Sequence, residues 1–406
     1  MIDERNYWLG FSVFSGIGPM KFKKLLGYFG SAKDAWHAPG SHLAKLIGEK
    51  LAVKFDDFRN KFSIEDYVDK LKKNNVSFII LTDSNYPQLL KQIKNPPFLL
   101  YVKGNIDILY SSSVVSRVRH GERSREVLSK NSSRLTTFAR TISYPTIAVV
   151  GTRKTTQYGR EVTKILTEEL VSSGFTIVSG LAIGVDAISH KTAIEGGGKT
   201  IAVLGCGVDC CYPLSNQHIY NSIVYGNGLA KPDPAPQGCV VSEYPLALRP
   251  TRGSFPVRNR IIAGLASGVL VTEGAEDSGA LITADYAIKF NRKVFAVPGP
   301  ITSSLSKGPY KLIAKGAKLV TSAKDILDEL GVQEKSIKGG KSIKSIKGGN
   351  KEEDMILKIL QNEPLHFDEL VRRSGFESAK TGSILSVMEI KGLVKGLESG
   401  QFSIAS

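Results

Sequence analysis

IAVVGTRKTTQYGREVTKILTEEL, residues 147–170, holds the decision about the fold. Its first four residues are all apolar, a short loop follows, and a helical pattern closes it. Val162, Ile165, Leu166 and Leu170 recur at helical spacing and give that helix one face to bury. The unit repeats down the chain. Strands are expected at IAVV (147–150), FTIV (175–178), TIAVL (200–204), CVV (239–241), VLVT (269–272), VFAV (294–297) and KLV (318–320), with helical patterns between several of them. Strands that are apolar almost throughout, separated by amphipathic helices, need cover on both faces of a parallel sheet. The fold class is therefore α/β: a Rossmann-like, doubly wound, mostly parallel sheet spanning 145–332.

Outward from this core, residues 1–65 read as a helical domain. In it Gly16-Ile17-Gly18, between two periodic stretches, suggests a tight helix-hairpin-helix turn. Residues 66–110 lead into the core, with extended stretches at 78–81 and 98–102. Segment 111–144 is rich in Ser and Arg, has no sustained period, and reads as an insertion without a core of its own. Residues 225–238 form a smaller Gly/Pro-rich excursion, and 333–350, with its SIK and GG repeats, is a basic linker. Residues 351–406 hold helical patterns at 353–361, 367–374 and 378–391, then two short strands joined by Glu398-Ser399-Gly400. Three helices and a hairpin make a winged helix.

The net charge of +16 suggests a polyanionic partner, but it is unevenly spread. Segment 111–144 carries +5 and segment 335–351 carries +6, so the body is only mildly basic. A polyanion site in the core must then rest on local placement of charge. The cysteines Cys206, Cys210, Cys211 and Cys239 fit neither a disulfide framework nor a zinc site, which points to a reducing cytoplasm and to no metal. No apolar run reaches membrane-spanning length, so no membrane partner is expected.

Local placement is what RPTRGSFPVRNRII, 249–262, offers: Arg249, Arg252, Arg258 and Arg260 around Phe255, with no carboxylate in the stretch. Cations beside a flat ring suit a single-stranded nucleic acid, neutralising phosphates and stacking a base. Ligands of open α/β sheets gather at the carboxyl ends of the strands. There Gly151, Thr152, Arg153 and Lys154 follow one strand, Ser179 and Gly180 another, and Gly205-Cys206-Gly207 a third. Arg153 is expected to join the arginines around Phe255.

The series GTR…YG, SGLAIGVD…H, AVLGCGVDCCYP, SEYP…FPVRNRIIAGLA, VTEGAEDSGALITA and VFAVPGP…SKGPYKLI resembles the DprA (Smf) family of DNA-processing proteins over about 146–330. The resemblance implies a cytoplasmic recombination mediator without cofactor or catalysis. Such a protein binds single-stranded DNA during natural transformation, protects it, helps load the RecA recombinase and acts as a homodimer. It also implies DNA-binding roles for Gly151, Thr152, Arg153, Lys154, Ser179, Gly180, Arg252, Phe255, Arg258, Asn259 and Arg260, with Arg258 or Arg260 alternatively pairing within the domain. Thr152 stands where the family has Ser, which keeps the hydroxyl, and Tyr310 where many members have Asn. The insertion at 111–144 resembles mobile palindromic elements, and tolerance is expected because loop closure costs only about 0.6 kcal/mol per doubling of length.

Two rival readings stand beside this one. A nucleotide-processing, N-glycosidase-like enzyme could use Glu243, Glu273 and Asp277 at strand ends, or Asp186 and His190 one helical turn apart as an acid/base pair. Against it, Asp186 can cap its own helix and His190 can pair with Asp186. The other rival is an interaction scaffold that senses a nucleotide at the sheet edge.

Overall fold

The computed structural model describes residues 3–111, 145–226, 237–332, 349–360, 363–397 and 400–404. They belong to two compact units, Met1–Lys335 and Ser336–Ser406. Most of the insertion (112–144), of the excursion (227–236) and of the linker (333–348), with Glu398 and Ser399 of the final turn, lies outside the described residues.

In the first unit one nine-stranded sheet runs in the order β1-β2-β6-β5-β4-β3-β7-β8-β9. Its strands are β1 (Val76–Ile80), β2 (Leu99–Gly104), β3 (Thr146–Val150), β4 (Thr176–Ser179), β5 (Thr200–Val203), β6 (Gly238–Ser242), β7 (Gly268–Val271), β8 (Lys293–Ala296) and β9 (Lys318–Leu319). Every pair from β6 across to β9 is parallel. The stretch that leads into the core supplies an antiparallel edge, β1 on β2 and β2 on β6. From β3 the chain winds outward to β6, then returns beside β3 as β7 and winds the other way. That reversal opens a crevice at the carboxyl ends of the central strands.

β3 shows why its sequence forms a central strand. All five residues are buried. Ile147 and Val149 enter the core on one face, while Ala148 and Val150 enter the core on the other. Period-2 alternation therefore feeds two apolar layers rather than one. The Gln157–Ser172 helix that follows buries Leu166 and Leu170 as expected. Ile165, however, is exposed, and Thr163 takes the inward place. The stripe is rotated because Gly159 lies against the Glu273 carboxylate and the Thr163 hydroxyl meets that of Thr272 at 2.8 Å. A polar staple, invisible to a hydrophobic count, sets the phase.

The N-terminal helices close over their own aromatic core. Phe11 stacks on Phe55 with centroids 5.0 Å apart, and Trp36 meets both edge-on. Between the Glu4–Val13 and Pro19–Phe29 helices, Gly16 and Gly18 make the tight turn foreseen there. This part also steadies the core, since the Tyr67 hydroxyl accepts the Leu246 N–H at 2.9 Å, at the root of the arginine-rich loop.

The second unit has helices Lys351–Ile359, Phe367–Ser374 and Ser378–Ile390, and strands β10 (Leu365–His366), β11 (Val394–Gly396) and β12 (Gln401–Ile404) in the order β10-β12-β11. It is a winged helix. β10, only two residues long, has too little pattern to be read from sequence.

Candidate nucleic-acid interface

The loop after β3 is built by backbone bonds. The Thr152 N–H donates to the Glu273 carbonyl at 2.7 Å, and the Thr152 carbonyl accepts from Val185 N at 3.2 Å. Gly151 fits because a Cβ there would lie 2.5 Å from Val185 Cγ2 and 2.7 Å from the Glu273 carbonyl. Gly184 takes φ +82° where the next loop passes over Thr152, a conformation and a closeness that side chains disfavour. The Thr152 hydroxyl accepts the Lys154 N–H at 3.2 Å, which holds the turn. Arg153 and Lys154 are left exposed.

Burial sorts the other sequence candidates into two groups. Ser179 is wholly buried and its hydroxyl donates to the Val149 carbonyl at 2.7 Å, so it splices β3 to β4 instead of facing a ligand. Arg258, expected either beside DNA or as a partner within the domain, is 4% exposed. Its guanidinium donates to the carbonyls of Gly180 (2.6 Å) and Val203, tying the ends of β4 and β5 together. Burial lowers its pKa, opposed by the Asp186 carboxylate. Arg260 is also inside, paired with Glu243 and donating to the Asn95 carbonyl at 3.0 Å. Gly180 spends its carbonyl on Arg258 and its N–H on Asp186, at 3.1 Å. Asn259 donates to the Gly279 carbonyl at 3.3 Å. Arg249 and Arg252 are exposed and, among the described residues, in no ion pair.

The five-arginine ring around Phe255 thus reduces to a smaller constellation. Arg153 lies 5.7 Å from the Phe255 centroid and the buried Arg258 lies 6.0 Å from it. A partner that the sequence reading named only inside a motif is Tyr212, 47% exposed, its ring centroid 5.5 Å from that of Phe255. Aromatic residues 43 positions apart leave no periodic signal; only the turn Cys210-Cys211-Tyr212-Pro213 at a strand end could have drawn notice. Beside Phe255 stand an exposed guanidinium and an aromatic partner, while Lys154, Arg249 and Arg252 are exposed in the loops that carry Arg153 and lead to Phe255, with no carboxylate bonded to any of these four cations among the described residues.

The residues proposed for an acid/base enzyme have other work. Asp186 does not bond His190 and does not cap its helix with its side chain; it accepts from Gly180 N and Ala182 N in the preceding loop. Burial raises its pKa, against the pull of Arg258. His190 Nδ1 meets the Thr200 hydroxyl at 2.7 Å, ten residues downstream and across the fold. Glu273 accepts from Thr156 N at 3.0 Å and Thr156 Oγ1 at 2.6 Å, bracing the helix start. The Glu243 carboxyl is raised by burial and held by Arg260. Asp277 is exposed, in a shallow cleft with Glu276, Asp285 and Lys311 that contains none of the rim residues. The cysteines are free thiols; burial raises Cys206 and Cys239, and pushes Cys211 up to about 11. Tyr310, which stands where many family members have Asn, donates its hydroxyl to the Gly299 carbonyl.

His190 makes a pH prediction. Burial pushes its pKa down to about 3 from 6.5, so the folded chain refuses a proton that the unfolded chain takes. The neutral ring contributes its full stability above pH 6.5. That contribution falls as pH drops from 6.5 towards 3, by about 1 kcal/mol per pH unit. Thermal melts from about pH 7 down to about pH 4 should show this acid limb, and His190→Gln should make it shallower.

Comparison with known proteins agrees with this architecture. Residues 77–142 and 138–331 match the family described as DNA recombination-mediator protein A, and residues 344–400 match the DprA winged helix domain. A Synechocystis protein named Smf is 33% identical over 97% of this chain and 96% of its own length. The Streptococcus pneumoniae DNA processing protein DprA is 38% identical over 66% of this chain and 79% of its own. The X-ray structure of the S. pneumoniae protein superposes with a TM-score of 0.63 at 32% identity, covering 80% of this chain and 97% of that one. Among the described residues no helix is long and apolar enough to cross a membrane.

Proposed function

The chain belongs to the DprA/Smf family of DNA recombination mediators, and on that footing we propose that its Rossmann-like unit binds single-stranded DNA along the carboxyl rim of the sheet. It works by holding and handing over the strand, not by turnover. The observation that carries this is the exposed Arg153 guanidinium, 5.7 Å from Phe255, which is itself paired with the exposed Tyr212. Phosphate neutralisation and base stacking, the two interactions an unpaired strand offers, meet there. Family membership supports a homodimer acting in the cytoplasm during natural transformation, protecting incoming DNA and loading RecA.

Anisotropy of labelled poly(dT) against duplex of equal length tests the reading. The single strand is expected to bind more tightly. Arg153→Ala and Arg252→Ala should each weaken binding and reduce the slope of log K against log salt by about one, because each removes a phosphate contact. Equal affinity for duplex and single strand, with unchanged slopes, would remove the proposal. Incubation with nucleoside monophosphates should release no free base. Solution mass during DNA titration tests the dimer, and strand exchange on coated DNA tests RecA loading.

The winged helix is not expected to share the strand. Residues 351–406 hold seven Lys/Arg against nine Asp/Glu, net −2. Several of its cations are already paired: Lys380 with Glu352 (2.6 Å), Lys391 with Glu353 (2.7 Å), and Arg372 and Arg373 with Glu369 (2.7 and 2.6 Å). A DNA reader needs positive potential that this domain lacks. Truncation after residue 350 should leave poly(dT) affinity within about two-fold, as counterion release dominates binding. A loss of ten-fold or more would contradict it.

A further inference from the structure

We infer that Tyr212 is the ring on which a DNA base stacks, with Phe255 as its backing, so that the rim grips bases as well as phosphates. This deepens the single-strand reading and rests on it. Phe255 is hemmed in. Its ring sits against the bare Gly205 backbone, where a Cβ would stand 3.1 Å from Phe255 Cδ1. Arg153 and Arg258 lie 5.7 and 6.0 Å from its centroid, and Tyr212 lies 5.5 Å away. Tyr212 by contrast is 47% exposed, and its hydroxyl has no bond among the described residues.

A base cannot enter between the two rings. Sandwiching one requires about 7 Å, twice the roughly 3.4 Å spacing of stacked bases. The centroids are closer than that and the planes are tilted by 34°. A base must therefore settle on the outer, solvent-facing side of Tyr212, with Phe255 supporting the far face. The turn that carries Tyr212 is anchored for such a role. Asn216, 5% exposed, donates from Nδ2 to the Leu181 carbonyl at 2.9 Å, joining this segment to the loop after β4. Leu214 and Ile183, two exposed apolar residues, lie in the two segments that this bond joins.

The test uses the full chain and two labelled strands of equal length: oligo(dT), and the same backbone with abasic spacers throughout. Tyr212→Ala is expected to weaken oligo(dT) binding about 5- to 150-fold, the loss seen for one stacked base. It should leave the abasic strand unaffected and keep the salt slope, since no charge is removed. Tyr212→Phe should restore wild-type binding. Tyr212→Leu, which keeps apolar bulk against Phe255, should still fall short, and this separates stacking from local packing. Oligo(dT) affinity within two-fold of wild type in Tyr212→Ala, or equal losses on both strands, overturns the inference. If Arg153→Ala still weakens both strands in that case, the single-strand reading survives without it. If the arginine variant also binds normally, both fall.

Discussion

Arg258→Ala should lower the free energy of unfolding by about 3–5 kcal/mol, the usual cost of leaving a buried carboxylate without its compensating charge. Of the two roles open to Arg258, the structure favours the one within the domain. Arg258 lies inside the crevice, bonded to the carbonyls of Gly180 and Val203, with the Asp186 carboxylate acting on it. Removing the guanidinium strands two buried carbonyls and takes away the positive charge that acts on the buried Asp186 carboxylate. Arg258→Lys should recover only part of the loss, because one ammonium on a narrow stem cannot replace a planar fork. Urea melts of the two variants decide the matter. Stability within about 1 kcal/mol of wild type in Arg258→Ala would mean that this arginine does not hold the strand ends together. The opposite profile is expected of Arg153→Ala: near-wild-type stability and weaker DNA binding.

Phe255→Ala should cost about 1–3 kcal/mol of single-stranded DNA affinity, with little change in the salt slope. Phe255 is the shared neighbour of Arg153, Arg258 and Tyr212. Its removal takes away a cation–π partner and the support behind the exposed ring in one step. Its effect should therefore not add to that of Tyr212→Ala, since residues in contact couple. Titrations at two or more salt concentrations, with the single and double variants, measure this. Full additivity would show that the two rings act separately. An unchanged affinity in Phe255→Ala would show that Tyr212 needs no support from Phe255.

How legible was all this in the chain? Each core strand announced itself, because fully buried strands must be apolar at nearly every position and few other elements are. The helix after β3 was legible in existence but not in phase, since Thr163 and Gly159 answer to Thr272 and Glu273, more than a hundred residues away. His190 illustrates the same limit: a helical spacing suggested Asp186 as partner, and the fold supplied Thr200. Tyr212 carries no local pattern that assigns it a role, because its meaning depends on Phe255 lying beside it.

By itself the sequence determined a doubly wound sheet, a winged helix at the far end, and a rim where small residues and cations collect. These are properties of local pattern, since apolar alternation and turn chemistry act within about ten residues of chain. The tertiary structure alone decided which cations remain for a ligand. Arg258 and Arg260 are chemically identical to Arg153 and Arg252, yet the first two are enclosed and bonded to the protein while the others face solvent. A guanidinium's availability depends on which distant carbonyls and carboxylates the fold packs around it, and one-dimensional order does not carry that information.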